Sequence, residues 1–238
     1  MLENTKIAGL PEISRRNVLV GASMLAVLPG ALLPSAANAA PFAGTGLPVP
    51  PSDRLGFDII RKGSRLGSHV LTFSGQGNRL TVQVEVGLIY KLLGITLYHY
   101  SHHCTETWDG GQVVAVDSHT DDNGSPWHLS ARRETAGLVV EATGIPRYTA
   151  PANALPATHW NPRQLDGPWI NTENGKLLHP HVAPAGAESI PETGGRSIIA
   201  RRFGVSGDVQ LVMWYDRIGW AGLSFNRGGS PIRYERQA

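Results

Sequence analysis

"RLTVQVEVGLIY", Arg79–Tyr90, decides the fold class. Leu80, Val82, Val84, Val86, Leu88 and Tyr90 fall at every second position, with Arg79, Thr81, Gln83 and Glu85 between them. Successive side chains of a strand point to opposite sides of the sheet, so this period of two describes a strand with one buried face. "DVQLVMWYD" aligns Val209, Leu211, Met213 and Tyr215 in the same way, and "AGLSFN" aligns Ala221, Leu223 and Phe225. Short turn signals separate such runs: "RKGS", "GQGN", "WDGG", "DDNG" and "ETAG". Connections this short join antiparallel neighbours, because a parallel crossover needs a dozen residues or more. The pattern predicts an all-β chain of nine or ten strands. They form a single strongly curved antiparallel sheet, a barrel or half-barrel meander, since open sheets of that size curl.

Residues 145–187 break the period. They are proline-rich and read as one long covering loop, with a short helix around Asn161–Leu165 and strands resuming near Ser189. Trp160 and Trp169 within it are expected to plug one end or one face of the sheet.

The first segment belongs to a different problem. "SRRNVLVGASMLAVLPGALLPSAANAA" carries the arginine pair Arg15 and Arg16, an apolar run from Val18 to Leu33, and a small-residue exit at Ala37, Asn38 and Ala39. That is the layout of an export signal, and Ser14, Arg15, Arg16 and Leu19 resemble the twin-arginine consensus. The run is shorter than the ~20 residues a spanning helix needs, so it reads as a removed signal with no transmembrane segment in the mature chain. The chain thus divides into a signal over residues 1–39, a proline-rich, extended and weakly packed arm over 40–54, and a single all-β domain over 55–238. The implied partners are the twin-arginine translocase and signal peptidase, and the implied compartment is the periplasm. The 199 residues left after Ala39 keep every aromatic side chain, ample for one core.

Composition narrows the functional classes. The full chain carries a formal charge of +2 and no run of lysines or arginines, which gives no footprint for nucleic acid or for an anionic membrane. Cys104 is the only cysteine, so no internal disulfide forms, and burial is its expected fate. No G-x-S-x-G elbow, H-E-x-x-H helix, P-loop or G-x-G-x-x-G is present.

"YHYSHHCTE", Tyr98–Glu106, concentrates histidines around Cys104. On a strand, Tyr98, Tyr100, His102, Cys104 and Glu106 share one face, and His99, Ser101 and His103 take the other. If Gly110 and Gly111 form a two-residue loop, Tyr100 falls opposite Asp121, His102 opposite His119, and Cys104 opposite Asp117. His102, Cys104, Asp117 and His119 would then offer a transition-metal ligand set, whereas an odd-numbered slip scatters it. Without such pairing, this polar face is expected to meet water and to hold no cofactor.

"GSHVLTF", "GITLYHYSHHCTETWDGGQVVAVDSHTDDNG", "ALPATHWN" with "NTENGKL", and "MWYD" with "GLSFNRGGSPIRYE" together resemble the exported bacterial family of domain of unknown function 6134. A more distant similarity is to domain of unknown function 3108, periplasmic all-β proteins with a strongly curved sheet. The resemblance implies an envelope protein and carries no catalytic residues. Three readings follow. The first is a non-enzymatic carrier for a lipid-like or other apolar ligand, lined by Val82, Val84, Leu211, Met213 and Phe225 and covered by Trp160 and Trp169. The second is the metal site, as a binding protein or hydrolase. The third is an envelope assembly partner acting by strand addition at an open edge.

Overall fold

The computed structural model describes residues 46–237. Eight strands follow one another as hairpins: β1 (Arg54–Arg61), β2 (Ser64–Gln76), β3 (Arg79–Leu92), β4 (Ile95–Asp109), β5 (Gln112–Asp122), β6 (Ser125–Glu134), β7 (Gly137–Ala142) and β8 (Ile145–Ala150). After an excursion come β12 (Pro180–Pro191), β13 (Ser197–Gly207), β14 (Leu211–Tyr215), β15 (Trp220–Arg227) and β16 (Ser230–Arg236). These thirteen strands form one antiparallel sheet in the order β12-β13-β14-β15-β16-β1-β2-β3-β4-β5-β6-β7-β8. The seam where the two meanders meet is the pairing of β1 with β16, Phe57 opposite Arg236. The expected curved, barrel-like sheet is present, with more strands than the sequence pattern resolves. Among the described residues β8 and β12 do not pair, so the sheet stays open.

Alternation puts the predicted faces where packing needs them. In β3, Leu80, Val82, Val84, Val86 and Leu88 are buried. Their register partners on β4 are Trp108, Glu106, Cys104, His102 and Tyr100, so the polar-looking face of β4 is the inner face of the sheet. This corrects the expectation that it meets water. The apolar cluster runs from Leu47 to Ile232 and includes Phe57, Ile59, Trp160, Trp169 and Trp220. Leu47 and Val49 are buried in it, so this end of the proline-rich segment is packed rather than loose.

The excursion is shorter than expected, because β8 and β12 take its two ends. Residues 151–179 carry a small sheet of β9 (Leu155–Pro156), β10 (Trp169–Ile170) and β11 (Leu177–Leu178), with a 3-10 helix over Pro162–Asp166. Asn161 caps that helix, its side-chain oxygen accepting from the Arg163 N–H, and a proline occupies the first turn, where its missing N–H costs nothing. Trp160 and Trp169 are buried, as a plug requires. A tight turn, "NTENGK", Asn171–Lys176, closes the segment: Asn171 Oδ1 accepts from the Glu173 N–H, and the Gly175 N–H donates to the Asn171 carbonyl.

Candidate functional site

The inner face of β4 and β5 meets the excursion through polar contacts. Ser118 Oγ donates to the Thr172 carbonyl, and Thr120 Oγ1 donates to that of Glu173, 3.3 Å away. His102 Nδ1 lies 2.8 Å from Thr120 Oγ1, and its Nε2 lies 3.3 Å from Thr172 Oγ1. Because the Thr120 hydroxyl hydrogen is directed to Glu173, His102 Nδ1 donates, and because burial keeps the ring neutral, Nε2 accepts from Thr172. Glu106 is fully buried beside this row. Its Oε2 accepts from the indoles of Trp108 at 2.7 Å and Trp160 at 3.1 Å, and its Oε1 accepts from the Thr158 hydroxyl. Burial raises the Glu106 pKa, and these three donors oppose that rise.

Behind the "NTENGK" turn lies a cavity of about 60 Å³. Its polar lining comes from His69, Tyr100, His102, Thr158, His159, Asn171, Thr172, Glu173 and Tyr234. Burial holds His102 and His159 at pKa values of about 3 and lowers His69 well below the usual histidine range, so all three are neutral. His159 Nδ1 faces the Gln164 side-chain nitrogen at 3.1 Å and therefore accepts, while the Gln164 side-chain oxygen takes the His159 backbone N–H. His159 holds a left-handed backbone, φ 69°, and its carbonyl accepts from the Tyr215 hydroxyl. Trp220 stands between His159 and His69, with ring centroids 5.3 and 5.2 Å away. Two buried nitrogens at this cavity, His69 Nε2 and Asn171 Nδ2, have no protein partner.

The metal set of the sequence reading is not assembled. Gly110 and Gly111 do form the two-residue loop, both at positive φ, and Asp109 faces Gln112 as expected. A bulge then shifts the register between Trp108, opposite Val113, and Thr107, opposite Ala115. The extra residue reverses the parity of everything beyond it. His102 pairs with Thr120, Cys104 with Ser118, and His103 with His119. His102 and Cys104 point inward, while Asp117 is outside in an ion pair with Arg132 at 2.9 Å and His119 is exposed beside His128. Cys104 is buried, and burial raises its thiol pKa well above the ordinary value. Among the described residues no group of three or more His, Cys, Asp or Glu is placed to hold a metal ion. His179 and His181 are exposed, and the His179 N–H is capped by Asp208.

Of the apolar lining set, Val84 and Phe225 border the cavity, whereas Val82, Leu211, Met213, Trp160 and Trp169 are packed into the core around it. His69, His159 and Asn171 escaped the sequence reading. His69 follows the strand alternation of β2, one residue in two, but single histidines carry no motif. Arg15, Arg16, Ala37 and Ala39 lie outside the described residues.

Among solved structures, the fold is similar to the crystal structure of a beta-barrel-like protein of domain of unknown function DUF1849 from Brucella abortus. The TM-score is 0.55 with 12% sequence identity, covering 77% of this chain and 94% of that one. No curated protein matches the sequence. The model of DUF6134, a domain of unknown function, matches residues 57–237, from the first buried aromatic of β1 to the residue after β16. The chain belongs to the DUF6134 family.

Proposed function

We propose that this chain is an exported binding module that holds a small, neutral, hydrogen-bonding ligand among His69, His102, His159 and Asn171. The observation that carries this reading is the pair of unpartnered buried nitrogens, His69 Nε2 and Asn171 Nδ2, at one cavity. A buried polar group without a partner costs about 1–3 kcal/mol, and native structures keep few of them. A ligand offering an acceptor to Asn171 and a complementary group to His69 removes both costs. Neutral imidazoles and aromatic walls from Tyr100, Tyr234 and Phe225 favour an uncharged ligand, and the Glu173 carboxylate in the lining disfavours an anion in particular. The volume favours a small one, since even a cavity of ~150 Å³ holds no more than a benzene-sized guest. The apolar carrier with a lipid-like ligand is less well supported, since the pocket that Val84 and Phe225 border is only about 60 Å³.

Export is part of the same proposal and rests on the Arg15–Arg16 pair, the apolar run and the Ala37–Ala39 exit. The strand-addition reading is less well supported, because both edges are blunted: β8 carries Pro146, and β12 carries Pro180, Pro184 and a register shift between Pro184 and Ala187.

Native mass spectrometry of protein recovered gently from the periplasmic fraction tests both parts. The expected result is a chain beginning near Ala40 with a small added mass that denaturation releases and that His69→Phe lacks. A bare polypeptide mass, together with a crystal structure holding only water in the cavity, overturns the ligand. An intact residue 1–39 segment on a cytoplasmic protein overturns the export.

A further inference from the structure

The tip of the β3–β4 hairpin is unlike the other hairpin tips. Five two-residue loops among the described residues have both central residues at positive φ: Lys62-Gly63, Leu93-Gly94, Gly110-Gly111, Asn123-Gly124 and Gly228-Gly229. Such turns select glycine, asparagine or aspartate at the first position, because a Cβ there crowds the backbone. Lys62 and Leu93 depart from that choice, at φ 50° and 51°, and of the two Leu93 is apolar and 94% exposed. Ile95 is 66%, Ile89 52% and Leu97 36% exposed on the same hairpin. A leucine in this place is disfavoured by its backbone and by water alike.

The tip also stands clear of the sheet. β2 pairs with β3 only as far as Leu88, and β5 pairs with β4 only from Tyr100, so residues 89–99 have strand partners only in each other, and the His99 carbonyl accepts from the Asn123 N–H at 3.0 Å. At strand rise the ribbon extends about 13 Å past its last pairing with β2, Gly67 opposite Leu88, while β2 itself continues to Ser64 beside β1. Among the turns at this end are residues 61–65 and 227–233, because β1 pairs with both β2 and β16, and Asn123-Gly124, which borders the ribbon at His99. The three segments 61–65, 89–97 and 227–233 contain Arg61, Lys62, Arg65, Lys91, Arg227 and Arg233 and no carboxylate. Arg65 and Arg233 are paired with Asp58 and Glu235 farther down the sheet. Arg61 lies over the Tyr90 ring, 5.6 Å from its centroid, and donates to the Arg227 carbonyl, which ties the ribbon's base to the basic turns. On the other side of the ribbon, Asp121 and Asp122 flank its base beside Ser101 and Tyr100, held by His99 and Tyr98.

We propose that this end of the molecule docks on an anionic lipid surface, with Leu93, Ile95 and Ile89 entering the interface and the exposed Lys62 and Lys91 meeting the headgroups. An apolar apex inside a cationic collar matches a bilayer, where apolar groups enter the acyl boundary and each nearby cation strengthens binding about five-fold.

Co-sedimentation of the purified full chain and variants of equal length with vesicles of phosphatidylethanolamine and phosphatidylglycerol tests this. Equal length keeps any contribution of the apolar Val18–Leu33 run the same in every sample. The expected result is a loss of ten-fold or more in bound fraction for Leu93→Asn and for Lys62→Glu/Lys91→Glu. Binding to pure phosphatidylcholine should be weaker than to the anionic vesicles. Asn-Gly suits the turn better than Leu-Gly, so Leu93→Asn keeps the fold, which thermal unfolding verifies. A fluorophore on Leu93→Cys should shift to the blue on the anionic vesicles. Unchanged sedimentation of the variants with no shift of the fluorophore overturns the proposal. So does a concentration-dependent dimer that Leu93→Asn abolishes, or capture of the tip by a protein with no affinity for vesicles.

Discussion

Glu106 shows how much a single inward side chain can hold. Its carboxylate gathers two indoles and a hydroxyl from β4 and the excursion, and so anchors the plug to the sheet. Glu106→Leu leaves three buried donors unpaired and should destabilise by about 3–5 kcal/mol. Glu106→Gln should cost less than about 1.5 kcal/mol, because its amide oxygen can accept both indoles while Thr158 reverses to accept its N–H. Denaturant midpoints of the two variants measure the difference, and equal losses would sink the account.

The buried histidines set the acid limit of stability. His102 and His159 titrate near 3 when folded and near 6.5 when unfolded. As pH falls below 6.5 the unfolded chain takes up these protons first, so stability drops progressively down to about pH 3. The loss is on the order of a few kcal/mol for each ring. Glu106 has the opposite sign: its raised pKa favours the folded state at low pH and is felt as a loss when pH rises through the folded value. Thermal melts from pH 7 to pH 3.5 should therefore fall, more steeply in Glu106→Gln. A flat profile contradicts the neutral, buried histidines.

Among the elements, the "NTENGK" turn is the one the site depends on. Gly175 sits at φ 78°, and a Cβ there would come within 2.4 Å of the Ala142 Cβ, on the strand that leads into β8. The Gly175 carbonyl accepts from the Tyr148 hydroxyl at 2.6 Å. Gly175→Ala should cost about 2–4 kcal/mol, from left-handed strain together with overpacking, and should raise hydrogen exchange first across residues 171–176. Exchange that rises uniformly over the sheet instead would mean that the turn is not a separate unit. The β4–β5 hairpin teaches the complementary lesson. Its turn was legible from "WDGG", but its bulge was not, because a bulge leaves no composition signal and is selected by the fit of Trp108 and Val113 into the core.

At the scale of the whole molecule, one buried cluster holds the second meander together. Arg236 on β16 is buried and donates to Asp216, before β15, at 2.6 Å, and to Glu192, after β12, at 3.1 Å. It thereby joins the seam strand to the turns of the second meander. Arg236→Ala leaves two buried carboxylates without their counter-charge and should destabilise by about 3–5 kcal/mol. Urea unfolding should then shift to a lower midpoint with the slope unchanged. A shift below about 1 kcal/mol would show that the clamp is replaceable by water.

The sequence by itself determined the strand type, the antiparallel order, the curvature and the family, because side-chain alternation and short turns are local properties that survive in any register. It also marked Trp160 and Trp169 as a plug, since large aromatics act through their own chemistry, and a short helix around Asn161–Leu165. Tertiary structure alone decided which face of β4 is the inside, which of His102 and His103 is buried, and which side chains meet in the cavity. These depend on one extra residue at the bulge and on the docking of residues 151–179, and both are set by packing between segments far apart in the chain.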